Sequence, residues 1–119
     1  MFLFRRGPAR VTPADAHLRT RDEGAVLLDV REPAEWAAGH APGAVHAPLS
    51  ALQAGAALPP AAQGRPLMVI CRSGHRSRRA AELLTGRGAA AVDVKGGMHA
   101  WAAAGLPVVD DRGNSGSIA

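Results

Sequence analysis

The chain has one cysteine and no tyrosine, and its only other aromatics are Phe2, Phe4, Trp36 and Trp101. The lone thiol, Cys71, excludes an intramolecular disulfide framework and any cysteine-rich zinc site. Lysine is nearly absent as well, with Lys95 set against thirteen arginines. No apolar run approaches the roughly 18 residues of a transmembrane helix, so no membrane partner is expected. The five histidines are His17, His40, His46, His75 and His99. None forms a short H-x-x-x-H pair, so no metal site is expected. His40 and His46 read instead as structural hydrogen-bonding residues. The opening Met1-Phe2-Leu3-Phe4-Arg5-Arg6 puts apolar residues before charges, the reverse of a secretory signal. The expected compartment is therefore cytoplasmic, where a single thiol stays reduced.

What is present fills one domain. The chain has 119 residues, 47% of them hydrophobic and 20% charged, an ordinary globular composition. With few aromatics, the core must be built from Ala, Val and Leu, with Trp36 and Trp101 read as core residues on short helices. Residues 1–9 read as an N-terminal arm, 10–109 as the domain, and the polar, Gly/Ser-rich 110–119 as a flexible tail.

Within the domain, strands and helices alternate. Arg10-Val11 suits a short edge strand. Thr12 caps a helix whose first position is Pro13. Ala25–Val30, Leu67–Cys71 and Ala91–Val94 are short apolar runs bounded by Gly or Pro, the signature of buried strands. Residues 44–47 suit another brief strand. Helices are expected over 32–38, 49–56 and 77–87, and again around Trp101. This pattern predicts an α/β fold with a mostly parallel sheet and helices on both faces. Ligands of such sheets bind beyond the carboxyl ends of strands, and Cys71 sits at one.

The loop that follows carries the chemistry. Cys71-Arg72-Ser73-Gly74-His75-Arg76-Ser77 joins a buried strand to a helix. Such a loop turns backbone N–H groups toward one point, and the helix N-terminus adds positive potential. With Arg72 and Arg76 beside it, the anionic form of Cys71 is favoured, and the thiolate is the nucleophile. A cysteine closing a Val-Ile strand is often a mere small hydrophobe. The Arg, Gly and Ser residues that follow have no role in core packing and point to a reactive thiol with an anionic partner. His75 either orients that anion or faces solvent. Ser77 is either a helix cap or a ligand contact. The net charge of +4 also belongs here. Residues 71–79 hold Arg72, Arg76, Arg78 and Arg79 and no acid, leaving ten basic against ten acidic residues elsewhere. That distribution suits a funnel for a small anion better than a nucleic-acid surface, so no nucleic-acid partner is expected.

Three segments in order resemble the single-domain rhodaneses, a sulfurtransferase family. They are Leu28–Trp36 running into Gly39–Pro48, the Cys71–Ser77 loop, and Val94–Trp101 with its Gly96-Gly97 pair. The resemblance spans Val11 to Val108. It implies an open five-stranded parallel sheet and no cofactor. It implies that Cys71 accepts a sulfane sulfur as a persulfide, with the backbone of Arg72, Ser73, Gly74, His75 and Arg76 around that sulfur and Ser77 beside it. It implies supporting roles for Asp29 and Arg31 on a neighbouring strand end. From the residues alone, Arg31 could as well pair with Glu35, four positions on. The implied partners are a small anionic donor such as thiosulfate, and cyanide or a thiol, including a partner protein's, as acceptor. A persulfide carrier or protein-binding module on the same fold is the alternative. Phosphatases and arsenate reductases of this fold resemble it less, because their loop is one residue longer than the six from Cys71 to Arg76.

Overall fold

Thr12 opens the first helix as its neighbours suggest: its Oγ1 accepts the Asp15 N–H at 3.1 Å, and Pro13 fills the first turn. The computed structural model describes residues 10–119, and the N-terminal arm over 1–9 lies outside them. In chain order the elements are β1 (Arg10–Val11), α1 (Pro13–Asp22), β2 (Val26–Asp29), α2 (Pro33–Ala38) and β3 (Val45–His46). There follow α3 (Leu49–Gln53), a single 3-10 turn (Pro60–Ala62), β4 (Leu67–Ile70), α4 (Arg76–Gly86), β5 (Ala91–Val94) and α5 (Gly97–Ala103).

The strands form one five-stranded sheet in the order β1-β5-β4-β2-β3, with every pair parallel. The apolar runs explain this arrangement. Each residue of β2 and β4 is buried, as a strand covered on both faces requires. Alternate side chains serve opposite cores. Val26, Leu28, Leu67 and Val69 meet Ala80, Ala81 and Leu84 of α4 and Leu52 of α3. Leu27, Met68 and Ile70 meet Ala16 of α1 and Met98 and Trp101 of α5. Alanine on α4 lets that helix lie close to the sheet, so a core short of aromatics still packs. Asp29 pairs with Ile70 in register, and Val69 with Asp93. The carboxyl ends of β2, β4 and β5 therefore open at the same edge, with the central β4 between them.

Two expectations need correction. Trp36 is only half-buried, because α2 buries none of its side chains. Its indole stacks on the imidazoles of His40 and His46, at ring-centroid distances of 3.7 and 4.7 Å. Those two histidines have the structural role expected of them, reaching the carbonyls of Trp36 and Arg31 respectively. The tail, expected to be flexible, instead folds back. Just ahead of it Val109 exchanges two backbone hydrogen bonds with His40, and within it Gly116 N–H donates to the Val108 carbonyl and Ser117 N–H to the Ala38 carbonyl. Asp110 Oδ1 accepts the N–H groups of Arg112 and Asn114, which closes a turn, and half-buried Ile118 packs against the core that contains Trp101. A polar composition hid one apolar anchor and one turn-forming aspartate.

Candidate active site

Cys71 follows β4 directly, and its side chain faces the α4 core with 1% exposure. The Gly74 N–H donates to Sγ at 3.1 Å, and the thiol donates to Ser77 Oγ at 3.3 Å. Gly74 is required here. Its φ is +104°, and a Cβ would stand 3.1 Å from Arg10 Nη2 and 3.2 Å from Gly96 N. His75 occupies the N-cap position of α4 without a side-chain capping hydrogen bond, so Ser77 lies inside the first turn and is fully buried. Its hydroxyl donates to Asp93 Oδ1. Ser73 and His75 are exposed at the loop tip.

The loop is fastened from below by α5. Met98 N–H donates to the Cys71 carbonyl at 2.7 Å, and His99 N–H to the Arg72 carbonyl at 3.0 Å. Gly97 makes that approach possible. A Cβ there would fall 2.4 Å from the Cys71 oxygen and 2.6 Å from the Arg72 carbonyl carbon, and φ is +59°. Both obstacles are backbone, so neither can swing aside. Gly97→Ala is expected to cost about 3 kcal/mol from overpacking and backbone strain together and to displace the loop. Thermal unfolding and the alkylation rate of Cys71 would read both effects; a stable variant with unaltered thiol reactivity would contradict this.

The arginines are not equivalent. Arg76 forms a two-pronged pair with Glu35 of α2, at 2.6 and 2.8 Å, so it is engaged rather than free for an anion. Arg72 is exposed, and its Nε donates to the Ala119 carbonyl at 2.6 Å. Arg78 and Arg79 are exposed on α4. Asp29 and Arg31 are both fully buried and paired, with Arg31 Nε on Oδ1 at 2.9 Å and Nη2 on Oδ2 at 2.7 Å. Arg31 also donates to the carbonyls of Glu35 and Gly39. Its side chain thus holds α2 in place, and Glu35 of α2 in turn holds Arg76. The Arg31–Glu35 side-chain pair that spacing alone allows does not form.

Two acids that the local sequence did not reveal therefore meet the loop: Glu35 from α2 and Asp93 from β5, the latter also bound to Arg10 Nε at 2.6 Å. The positive charge at the thiol is smaller than a count over residues 71–79 implies. A cleft of about 380 Å³ lies apart from the loop, between His17, Arg21, Arg65 and Trp101, and contains no loop residue.

Glu35 gives the site an acid limit. Its pKa is lowered from 4.5 to about 2, chiefly by the hydrogen bond from Arg76, with burial opposing. The native carboxylate binds a proton less readily than the unfolded one. Its contribution to stability is therefore present above about pH 4.5 and is lost as pH falls toward about 2. Because Arg76 is about a third exposed, roughly 1 kcal/mol is expected after screening. Denaturant unfolding at successive pH values should show this loss in the native protein and lack it in Glu35→Gln.

A parallel sheet between helices, with a half-wrapped thiol at the end of its central strand, defines an α/β domain built around one cysteine. A family model described as Rhodanese-like domain matches residues 12–104, and the chain belongs to that family. A rhodanese-related protein from Thermoplasma volcanium is 32% identical, with 85% of this chain and 97% of that chain covered and a TM-score of 0.73. A thiosulfate sulfurtransferase from Pseudomonas aeruginosa is 26% identical over 95% of this chain but only 22% of its own length, with a TM-score of 0.72. A Rhodopseudomonas palustris protein of unknown function, described as a possible tyrosine phosphatase, is 25% identical, with coverages of 91% and 98% and a TM-score of 0.72. No helix among the described residues is long and apolar enough to cross a membrane.

Proposed function

We propose that the protein is a sulfurtransferase that carries a sulfane sulfur on Cys71. The observation that carries this reading is the contact of Gly74 N–H with Sγ at 3.1 Å, in the Cys71–Arg76 segment that leads from β4 into the first residue of α4. In the first step the thiolate attacks the outer sulfur of thiosulfate or a similar anionic donor. A sulfur–sulfur bond to Cys71 forms, the bond within the donor breaks, and sulfite leaves with the electron pair. In the second step cyanide or a thiol attacks the outer sulfur, and the Cys71 thiolate is the leaving group. The Gly74 N–H favours negative charge on sulfur in both steps. Exposed Arg72 draws in the donor, and Arg76 orders the loop through Glu35.

The same pairing speaks against phosphate chemistry. An arginine locked to a carboxylate is poorly placed to grip a phosphate, and the loop has one residue fewer than phosphatase loops of this fold. The burial of Cys71 supports a second role as a persulfide carrier that serves a partner protein, since a thiol on a residue only 1% exposed is shielded from stray thiols. Purified protein should release thiocyanate from thiosulfate and cyanide. Intact Cys71 without thiocyanate release, but with one added sulfur atom by mass after expression in cells, would favour the carrier. Robust aryl-phosphate hydrolysis would overturn both.

A further inference from the structure

Asp93 reaches the thiol from β5, sixteen residues beyond Ser77. It is fully buried, as is Ser77. One carboxylate oxygen accepts Arg10 Nε at 2.6 Å, and the other accepts the Ser77 hydroxyl. Ser77 Oγ in turn accepts the Cys71 thiol at 3.3 Å. Arg10 also extends to the Gly74 carbonyl at 3.5 Å, closing a ring of contacts around the loop.

A serine hydroxyl has one proton to donate. While Ser77 donates it to Asp93, its oxygen meets the sulfur only with lone pairs. That arrangement suits a thiol. It opposes a thiolate, and the negative charge of Asp93 beyond it opposes a thiolate further. Arg10, a third exposed, offsets that charge from the other side. The remaining ionisable groups near the loop are differently engaged. Asp29, at the end of β2, and Arg31 beyond it form a closed pair; Arg76 of α4 is paired with Glu35 of α2, and its charge also reaches Cys71, where it favours the anion. Arg72, His75, Lys95 and His99 are exposed. Among the described residues, only Asp93 is joined to the sulfur through a side-chain hydroxyl.

We propose that Asp93, acting through Ser77, is a positioning residue that keeps the proton on Cys71, and that Arg10 sets how firmly it does so. Ionisation then requires the Ser77 hydroxyl to leave Asp93 Oδ1 and turn to Sγ while the thiol proton passes to solvent. The Gly74 N–H favours the anion and Asp93 favours the thiol, so one hydroxyl rotation separates the resting sulfur from the nucleophile.

The inference rests on Cys71 being the reacting thiol, as in the proposed function. Its test needs no sulfur donor, so a failed transfer assay leaves it standing. The measurement is the pH profile of Cys71 alkylation by iodoacetamide, followed by mass on the full chain. Asp93→Asn removes the charge and supplies an amide N–H to Ser77 Oγ, which frees the hydroxyl for the sulfur. Its alkylation midpoint should fall by about one pH unit, a tenfold gain in rate below the midpoint. Arg10→Gln leaves the Asp93 charge without its partner, and its midpoint should rise. In a Ser77→Ala background the Asp93→Asn shift should shrink by at least half. A purely structural role gives no reason for shifts of opposite sign. Midpoints that stay put, or that move the same way in both variants, overturn the proposal. Should Asp93→Asn not fold, the absence of a rise in Arg10→Gln overturns it alone.

Discussion

Thiocyanate release by Cys71→Ser protein is expected to fall at least about 10³-fold, to the uncatalysed level, while the fold survives. The two halves of this expectation have separate causes. A serine hydroxyl is hardly ionised near neutral pH and forms no stable link to a transferable sulfur, so both transfer steps lose their carrier. Stability is another matter. Serine Oγ can accept from Gly74 N–H and donate to Ser77 Oγ, as Sγ does, so no buried polar group is orphaned. The cost should stay near 1 kcal/mol, from the smaller atom in a site packed against α4. Circular dichroism and the thiocyanate assay, run on the same preparation, separate the two. Residual turnover within tenfold of the native protein would remove Cys71 from the chemistry.

Asp29→Ala should produce the largest loss of stability, about 3–5 kcal/mol. It leaves the Arg31 guanidinium fully buried, with carbonyls of Glu35 and Gly39 as partners but no counter-charge. Domains of this size have about 5–15 kcal/mol in total, so the variant should melt some 15–25 °C lower or fail to fold at 37 °C. Loss of order at α2 should also release Glu35 from Arg76, and transfer activity should drop in whatever folded fraction remains. Asp29→Asn is the milder control, because it keeps acceptor geometry for one prong. A melting shift of less than 5 °C in Asp29→Ala would show that solvent reaches Arg31 and that the pair does not anchor α2.

Much of this was readable along the chain. Thr12-Pro13 marks a helix start because capping is settled within three residues. Val26–Leu28 and Leu67–Ile70 announce themselves as interior strand, since burial on both faces leaves them apolar throughout, with a polar residue, Asp29, only at the carboxyl end of β2. The tail and Trp36 depart from expectation for a related reason: composition and helical context say what a segment resembles, not what lies across from it. Ile118 found a gap beside the second core, and Trp36 found two imidazoles rather than the interior. Arg31 and Glu35 were candidates for each other by spacing, yet each has a better partner, one at two residues' distance and one at forty-one.

The sequence by itself determined the order of strands and helices, the place of the one thiol at a strand's carboxyl end, and the glycine-bearing loop that wraps it. These are local matters, decided by periodicity, backbone freedom and neighbours a few positions away. Only the tertiary structure decided the electrostatics of that thiol. Parallel pairing sets β5 beside β4 and the end of β2 on its other flank, which brings Asp93 under Ser77 and Glu35 onto Arg76. Charge acts through space and falls with distance, so a run of arginines that looks uncompensated along the chain is partly neutralised where the chain folds.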